Sequence, residues 1–276
     1  MRFASLLIDR LTENVKFFMS VIYAMFLSLI YKKPRRVIIC YHSVGKQDVN
    51  AFEKQIAHLA KECRVVKASE IKKVKACERY VVAITFDDAF TSFVENAVPI
   101  LRKHGLAAAV SVPTANLGEQ PKWPLDAEAS DVSEIVMTDQ QIVELDQSGF
   151  EIFSHTASHP VLTEIEDSRL EAELNSSKRA LEEIVGHEVV GISYPHGAYD
   201  HRVCKAAQKA GYKLGFTIYP SMIDGTTDYL AIGRFLVSPS DSLIKFKLKV
   251  AGAYQVTKYI RVFKQLIASF KGVVCR

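Results

Sequence analysis

Apolar residues change their spacing repeatedly along this chain. From residue 37 onward, short runs apolar at consecutive positions alternate with segments whose apolar residues recur every three or four positions. The runs Val37–Tyr41, Tyr80–Phe86, Ala107–Val112, Phe150–Ser154, Val189–Tyr194 and Leu214–Ile218 predict strands buried on both faces, as in a parallel sheet. Between them, Ala51–Glu62, Val94–His104, Asp139–Ser148, Asp167–Val185 and Arg202–Ala210 predict helices, several closed by a glycine (Gly105, Gly149, Gly186, Gly211). Repeated strand–helix units predict an α/β fold, and a barrel or an open sheet would both fit.

The two ends of the chain depart from this pattern. Phe17–Tyr31 is a run of 15 residues without a charge. As a helix it would span about 22 Å, short of the roughly 30 Å of a bilayer core. Lys32, Lys33, Arg35 and Arg36 follow, a cluster suited to anionic headgroups and to a cytoplasmic position. Leu7, Leu11, Val15, Phe18, Ile22, Met25 and Leu29 also form a stripe at helical spacing. Three readings stay open: a helix on the membrane surface, a helix packed on the domain, or a spanning anchor or signal segment of an exported protein. Gln255–Phe270 predicts an amphipathic basic helix, for membrane association or for packing. The chain thus divides into 1–36, a strand–helix domain at 37–245, and 246–276.

Composition narrows the class. With 49% hydrophobic and 24% charged residues, the 276-residue chain is neither disordered, collagenous nor a multispan membrane protein. A net charge of +4 is too small to argue for nucleic acid, and no nucleic-acid partner is expected. Five cysteines without a CxxC pair argue against a disulfide framework or a cysteine zinc site, and favour a reducing compartment.

The chemistry-bearing residues follow the predicted strands: Tyr41-His42, Thr85-Phe86-Asp87-Asp88, His155-Thr156-Ala157-Ser158-His159-Pro160, and Pro195-His196-Gly197-Ala198-Tyr199. Strand C-termini are where α/β barrels place their sites. His155 and His159 are four apart, so on a helical turn they share a face. Two imidazoles and one carboxylate form a zinc shell that leaves a position for water, and an adjacent aspartate would remain as a base. Alone, HxxxH reads as a cap or surface pair and DD as a turn; together, on two strand ends, they point to a metal.

TFDDAF, SHTASHP and SYPHGAYD resemble the first three motifs of the polysaccharide deacetylases, the NodB-homology carbohydrate esterase family 4. YHSV at 41–44 resembles an N-terminal signature of many members, and the SYPHG segment is similar to that of a YPxG-type subgroup. The resemblance covers roughly residues 37–240. It implies a distorted (β/α) barrel of about seven parallel strands, to which the N-terminal hydrophobic helix is an addition. It implies a divalent metal, usually zinc, held by Asp88, His155 and His159, with Asp87 as catalytic base and Thr156 supporting the histidine loop. It implies Tyr194, Pro195, His196 and Gly197 as a groove wall with an oxyanion-binding N–H. The implied reaction removes N-acetyl groups from an amino sugar of a polysaccharide or lipid-linked glycan; O-acetyl ester hydrolysis, deformylation or glycan binding without catalysis are the alternatives.

Two departures matter. Where the family often has an arginine that orients the base, this chain has Ser193; Arg234 is a replacement partner for Asp87 or a solvent-exposed strand-end residue. The late Leu-x-His motif that normally supplies the acid is missing, since no histidine follows His201. His42 takes that role in this reading, with His196 as the other candidate. Ala115–Val136, with Trp123, predicts a substrate-facing lid in which the indole stacks on a sugar or anchors the loop.

Overall fold

The computed structural model describes residues 12–25, 35–74, 80–124 and 134–257. Eight parallel-paired strands form one sheet: β1 (Arg36–Tyr41), β2 (Cys63–Val65), β3 (Tyr80–Phe86), β4 (Ala109–Val112), β5 (Glu151–Ser154), β6 (Gly191–Ser193), β7 (Leu214–Phe216) and β8 (Phe235–Leu236). Seven follow the order β7-β6-β5-β4-β3-β1-β8, with β2 joined to β3 off that path. The sheet curls into half a barrel, and a single bridge, Phe216–Ile232, leads from β7 towards β8. The expected α/β class is met, and the seven-strand curled path is consistent with the expected distorted barrel, with a seam left open between β7 and β8.

The helices α1 (Val49–Glu62), α2 (Val98–Lys103), α3 (Asp139–Gln147), α4 (Asp167–Val185), α5 (His201–Lys209) and α6 (Leu243–Val250) supply the crossovers and the outer layer. Their local signals are those the sequence carries. In α3 Thr138 caps the Gln141 N–H while the Gln141 side chain returns to the cap, a capping box. Asp200 caps α5 through the Val203 N–H. Gly186 ends α4 at φ 76°, a left-handed conformation that costs glycine little.

β3 positions the aspartates. Its alternate side chains Val82, Ile84 and Phe86 belong to the main core, where the Phe86 ring stacks on Tyr41 with centroids 5.1 Å apart and meets Phe93 at 4.5 Å. This packing holds the strand end just before Asp87; deleting such a buried ring costs about 3–5 kcal/mol.

Two expectations were incomplete. β2 and β8 are three and two residues long, too short for periodicity to expose. The 245/246 boundary falls inside α6, whose Phe246 is buried in the core. Residues 12–25 are helical, and among the described residues no helix is long and apolar enough to cross a membrane. Residues 26–34 and the basic stretch from 258 lie outside the described residues, as do Cys77 and Cys275; Cys40, Cys63 and Cys204 are free thiols.

Candidate active site

Parallel strands bring all their C-terminal ends to one edge of the sheet, and the four motifs meet there. The backbone carries strain at the same place. Among the described residues, the five non-glycine residues with positive φ are Asp88 (70°), Ala89 (51°), Thr156 (66°), His159 (59°) and His196 (57°). Each such conformation costs of order 1–3 kcal/mol and persists where surrounding structure demands it. Here it falls on Asp88 and His159 and on their neighbours Ala89 and Thr156, where the chain turns at the strand ends.

Asp88 Oδ1 lies 3.4 Å from Nε2 of His155 and 3.4 Å from Nε2 of His159, and the two Nε2 atoms are 3.2 Å apart. Atoms bound at about 2.0–2.1 Å around a tetrahedral centre are roughly 3.3–3.4 Å from one another, so this triangle fits zinc. It is the one set of three such ligand groups among the described residues, and all three are buried. Asp88 Oδ1 has no hydrogen-bond donor, an orphaned buried oxygen that a cation would satisfy. His155 Nδ1 faces the Ser193 carbonyl at 2.8 Å, which orients its Nε2 towards the triangle. Burial, with His155 alongside, pushes His159 down to about 3, so its imidazole is neutral, as a ligand must be.

The histidine loop is held from two sides. Thr156 Oγ1 accepts the His159 N–H at 3.1 Å. Glu173, from the middle of α4, accepts the N–H groups of Ala157 (3.0 Å) and Ser158 (2.8 Å) and the Ser158 hydroxyl. Glu173 was not foreseen. Its signal is an acidic residue on the buried face of α4, which the chain shows only once that face is known.

Asp87, beside the triangle, is held by a different network. Arg234, with 0% of its surface exposed, sends Nη1 to Asp87 Oδ1 (2.8 Å) and Nη2 to Asp87 Oδ2 (2.6 Å). The same Nη2 donates to Ser193 Oγ at 2.6 Å, and Ser193 Oγ donates to Asp87 Oδ2 at 2.9 Å. Burial alone would raise the Asp87 carboxyl, yet the guanidinium outweighs it and holds the group far below the usual range. Oδ2 has two donors and Oδ1 one, so Oδ1 keeps a lone pair for a further proton. Of the two readings of Arg234, the structure shows the buried partner.

His42 is half-buried at the end of β1, close enough to both aspartates for its charge to lower their carboxyls. His196 is exposed, its ring 4.8 Å from that of His159. In the motif-three segment the Tyr194 N–H is committed to the Phe216 carbonyl and the Gly197 N–H to the Tyr194 carbonyl. Pro195 has no N–H, which leaves that of His196. The Tyr194 ring is in the core, and its hydroxyl donates to the Leu230 carbonyl. Trp123 is buried and stacks on His159, centroids 4.6 Å apart and planes 25° apart. Of the surrounding lid segment, 125–133 lie outside the described residues.

A curled parallel half-barrel with a second carboxylate beside an Asp-His-His triangle that could hold a metal ion is an arrangement suited to hydrolysis. Comparison with known proteins gives it a family. The polysaccharide deacetylase family model matches residues 75–215, just over half of the chain, and the chain belongs to that family of hydrolases acting on carbon–nitrogen bonds. It is 27% identical over 226 residues to the Bacillus subtilis protein YxkH, covering 76% of this chain and 75% of that one. It is 28% identical over 200 residues to a poly-β-1,6-N-acetyl-D-glucosamine N-deacetylase of Staphylococcus aureus, covering 68% of this chain and 66% of that one. The fold is shared with IcaB from Ammonifex degensii, with a TM-score of 0.67 at 22% identity over 80% of this chain and 97% of that one.

Proposed function

We propose that the chain removes N-acetyl groups from an amino sugar in a polysaccharide or lipid-linked glycan, with zinc held by Asp88 Oδ1, His155 Nε2 and His159 Nε2. The spacing of these three atoms, 3.2–3.4 Å, carries the proposal. A divalent ion there supplies a polarised acetamide carbonyl and a water whose pKa falls from 15.7 towards about 7. The residues of the chain do the rest. Asp87 Oδ1 accepts the proton of the attacking water, and Arg234 with Ser193 fixes the plane of that carboxylate. The His196 N–H is the segment's donor to the developing oxyanion, an interaction worth about 3–4 kcal/mol elsewhere. His42 returns a proton to the departing amine, because an imidazole suits proton donation near neutral pH. The relatives named as N-deacetylases of poly-β-1,6-N-acetylglucosamine support an amino-sugar polymer as substrate.

Acetate release from N-acetylated β-1,6-glucosamine oligomers, chitin oligomers and O-acetylated glycans tests the reading. Release from an N-acetylated oligomer, lost on chelation and restored by zinc, is expected. Release from the O-acetyl esters alone would overturn it.

A further inference from the structure

Helix 12–25 carries its apolar residues on the wrong side for a helix packed on a domain. Phe18 is 67% exposed and Ile22 64%, with Val15 and Met19 on the same face, while Ser20 is fully buried. Scattered exposed apolar residues are ordinary, but these are not scattered. Of the ten exposed large hydrophobic residues among those described, eight lie in residues 15–25 or 236–244. Lys245 at the start of α6 reaches Glu13 at 3.3 Å, which puts helix 12–25 beside Leu243 and Ile244 of α6, the latter also 64% exposed. Glu13, Lys16, Leu236 and Lys245 line one cavity of about 270 Å³ with Ile218. Ile218 is also the side chain that a Cβ on Gly197 would strike, so this cavity adjoins the loop bordering the catalytic histidines.

Charge indicates what covers the face. Residues 14–36 and 242–276 contain 13 lysines and arginines and no acidic residue, whereas the rest of the chain has 22 basic and 31 acidic residues. Among the described residues, Lys16 and Lys245, one from each segment, meet at Glu13 at 2.7 and 3.3 Å. Lys16 and Lys245 share Glu13, and Lys245 and Lys249 share Asp241, so two carboxylates stand against the 13 basic residues of these segments. An exposed apolar stripe beside segments with this net positive charge matches a bilayer with anionic headgroups, where apolar side chains enter the acyl boundary.

We propose that helix 12–25 and the start of α6 form a docking face for an anionic lipid bilayer. The face lies against the open seam of the half-barrel, next to the Gly197 loop, so a glycan presented at the membrane surface is within reach of the site. This last consequence rests on the deacetylase reading; the docking does not.

The full chain is sedimented with phosphatidylcholine vesicles with and without phosphatidylglycerol. Binding to the anionic vesicles, weakened by salt, is expected; no binding, or equal binding to both, overturns the proposal. Phe18→Glu with Ile22→Glu, and separately Ile244→Glu, should each weaken binding about tenfold or more, with unfolding temperature unchanged because these side chains are exposed. Unchanged vesicle binding in both variants would place the docking elsewhere on the chain. A wild-type dimer in light scattering that the variants dissolve would make the occupant a second copy. Hydrogen exchange at residues 15–25 should slow with anionic vesicles; equal protection without them means the face is already covered. Acetate release from a soluble oligomer should be the same in all variants. If the wild type releases none while vesicle binding behaves as expected, the deacetylase reading fails and the docking stands.

Discussion

Arg234 and Asp87 form a two-pronged, fully buried ion pair across 147 residues of sequence, with guanidinium–carboxylate distances of 2.8 and 2.6 Å. Ser193, at the position where family members often carry the base-orienting arginine, has become a third member of the pair through its hydroxyl. The arginine that meets the carboxylate here comes instead from the residue before β8, at the edge of the sheet.

Arg234→Ala should lose about 10²–10⁴-fold in turnover, the span of a misaligned base, while retaining metal by elemental analysis. It leaves Asp87 buried without a counter-charge, which costs about 3–5 kcal/mol of stability by denaturant unfolding. Adding Ser193→Arg to that variant should recover part of both losses, because the guanidinium re-enters from the opposite side of the carboxylate. A double variant no better than Arg234→Ala would mean that the position of the arginine on the sheet, and not its presence, is required.

The adjacent aspartates should separate by metal content. Asp87→Asn keeps the metal and loses about 10²–10⁴-fold in turnover. Asp88→Asn loses metal, because a neutral amide oxygen is the poorer partner for a dication. His42→Ala should behave as Asp87→Asn does, with the alkaline limb of the pH–rate profile altered. Full activity in His42→Ala would move the acid role to His196.

Glu173 supports the histidine loop by accepting two N–H groups and a hydroxyl. Glu173→Gln removes the charge that makes these bonds strong and turns one acceptor oxygen into a donor. Metal affinity should fall about 10- to 100-fold, as for other residues that orient ligands from behind. A zinc titration against a competing chelator measures this. Affinity equal to the wild type would show that Thr156 alone sets the loop.

A pH-dependent contribution to stability sits between the end of β8 and α6. Asp241 accepts from Lys249 (2.5 Å), Lys245 (3.0 Å) and the Ser238 N–H (3.1 Å). Burial raises its carboxyl, but the two lysines prevail and its pKa is lowered. A carboxyl depressed by folding stabilises the protein above its unfolded value of about 3.9, and loses that contribution as pH falls through the folded value. Asp241→Asn should therefore be less stable than the wild type by about 1–3 kcal/mol at pH 7. The gap should close in acid, as followed by urea unfolding across pH. A gap independent of pH would assign the loss to packing.

The chain's local patterns were enough for the strand–helix alternation and the glycine stops, because each depends on neighbours within a turn or a pleat. They were enough to nominate Asp87, Asp88, His155 and His159 as well, since parallel strands must deliver their C-terminal ends to one edge. What tertiary structure alone decided involves partners far apart in sequence. Whether Arg234 would be buried on Asp87 or lie in solvent depended on the register of β8 against β1, a two-residue pairing that no periodicity encodes. Glu173 could be read as a surface acid until the face of α4 was known, and Tyr194, next to the site in sequence, turns its hydroxyl away to Leu230. A local pattern sets which way a backbone segment runs. Which buried charge meets which depends on the closure of the sheet, where the cost of an unpaired ion selects the partner.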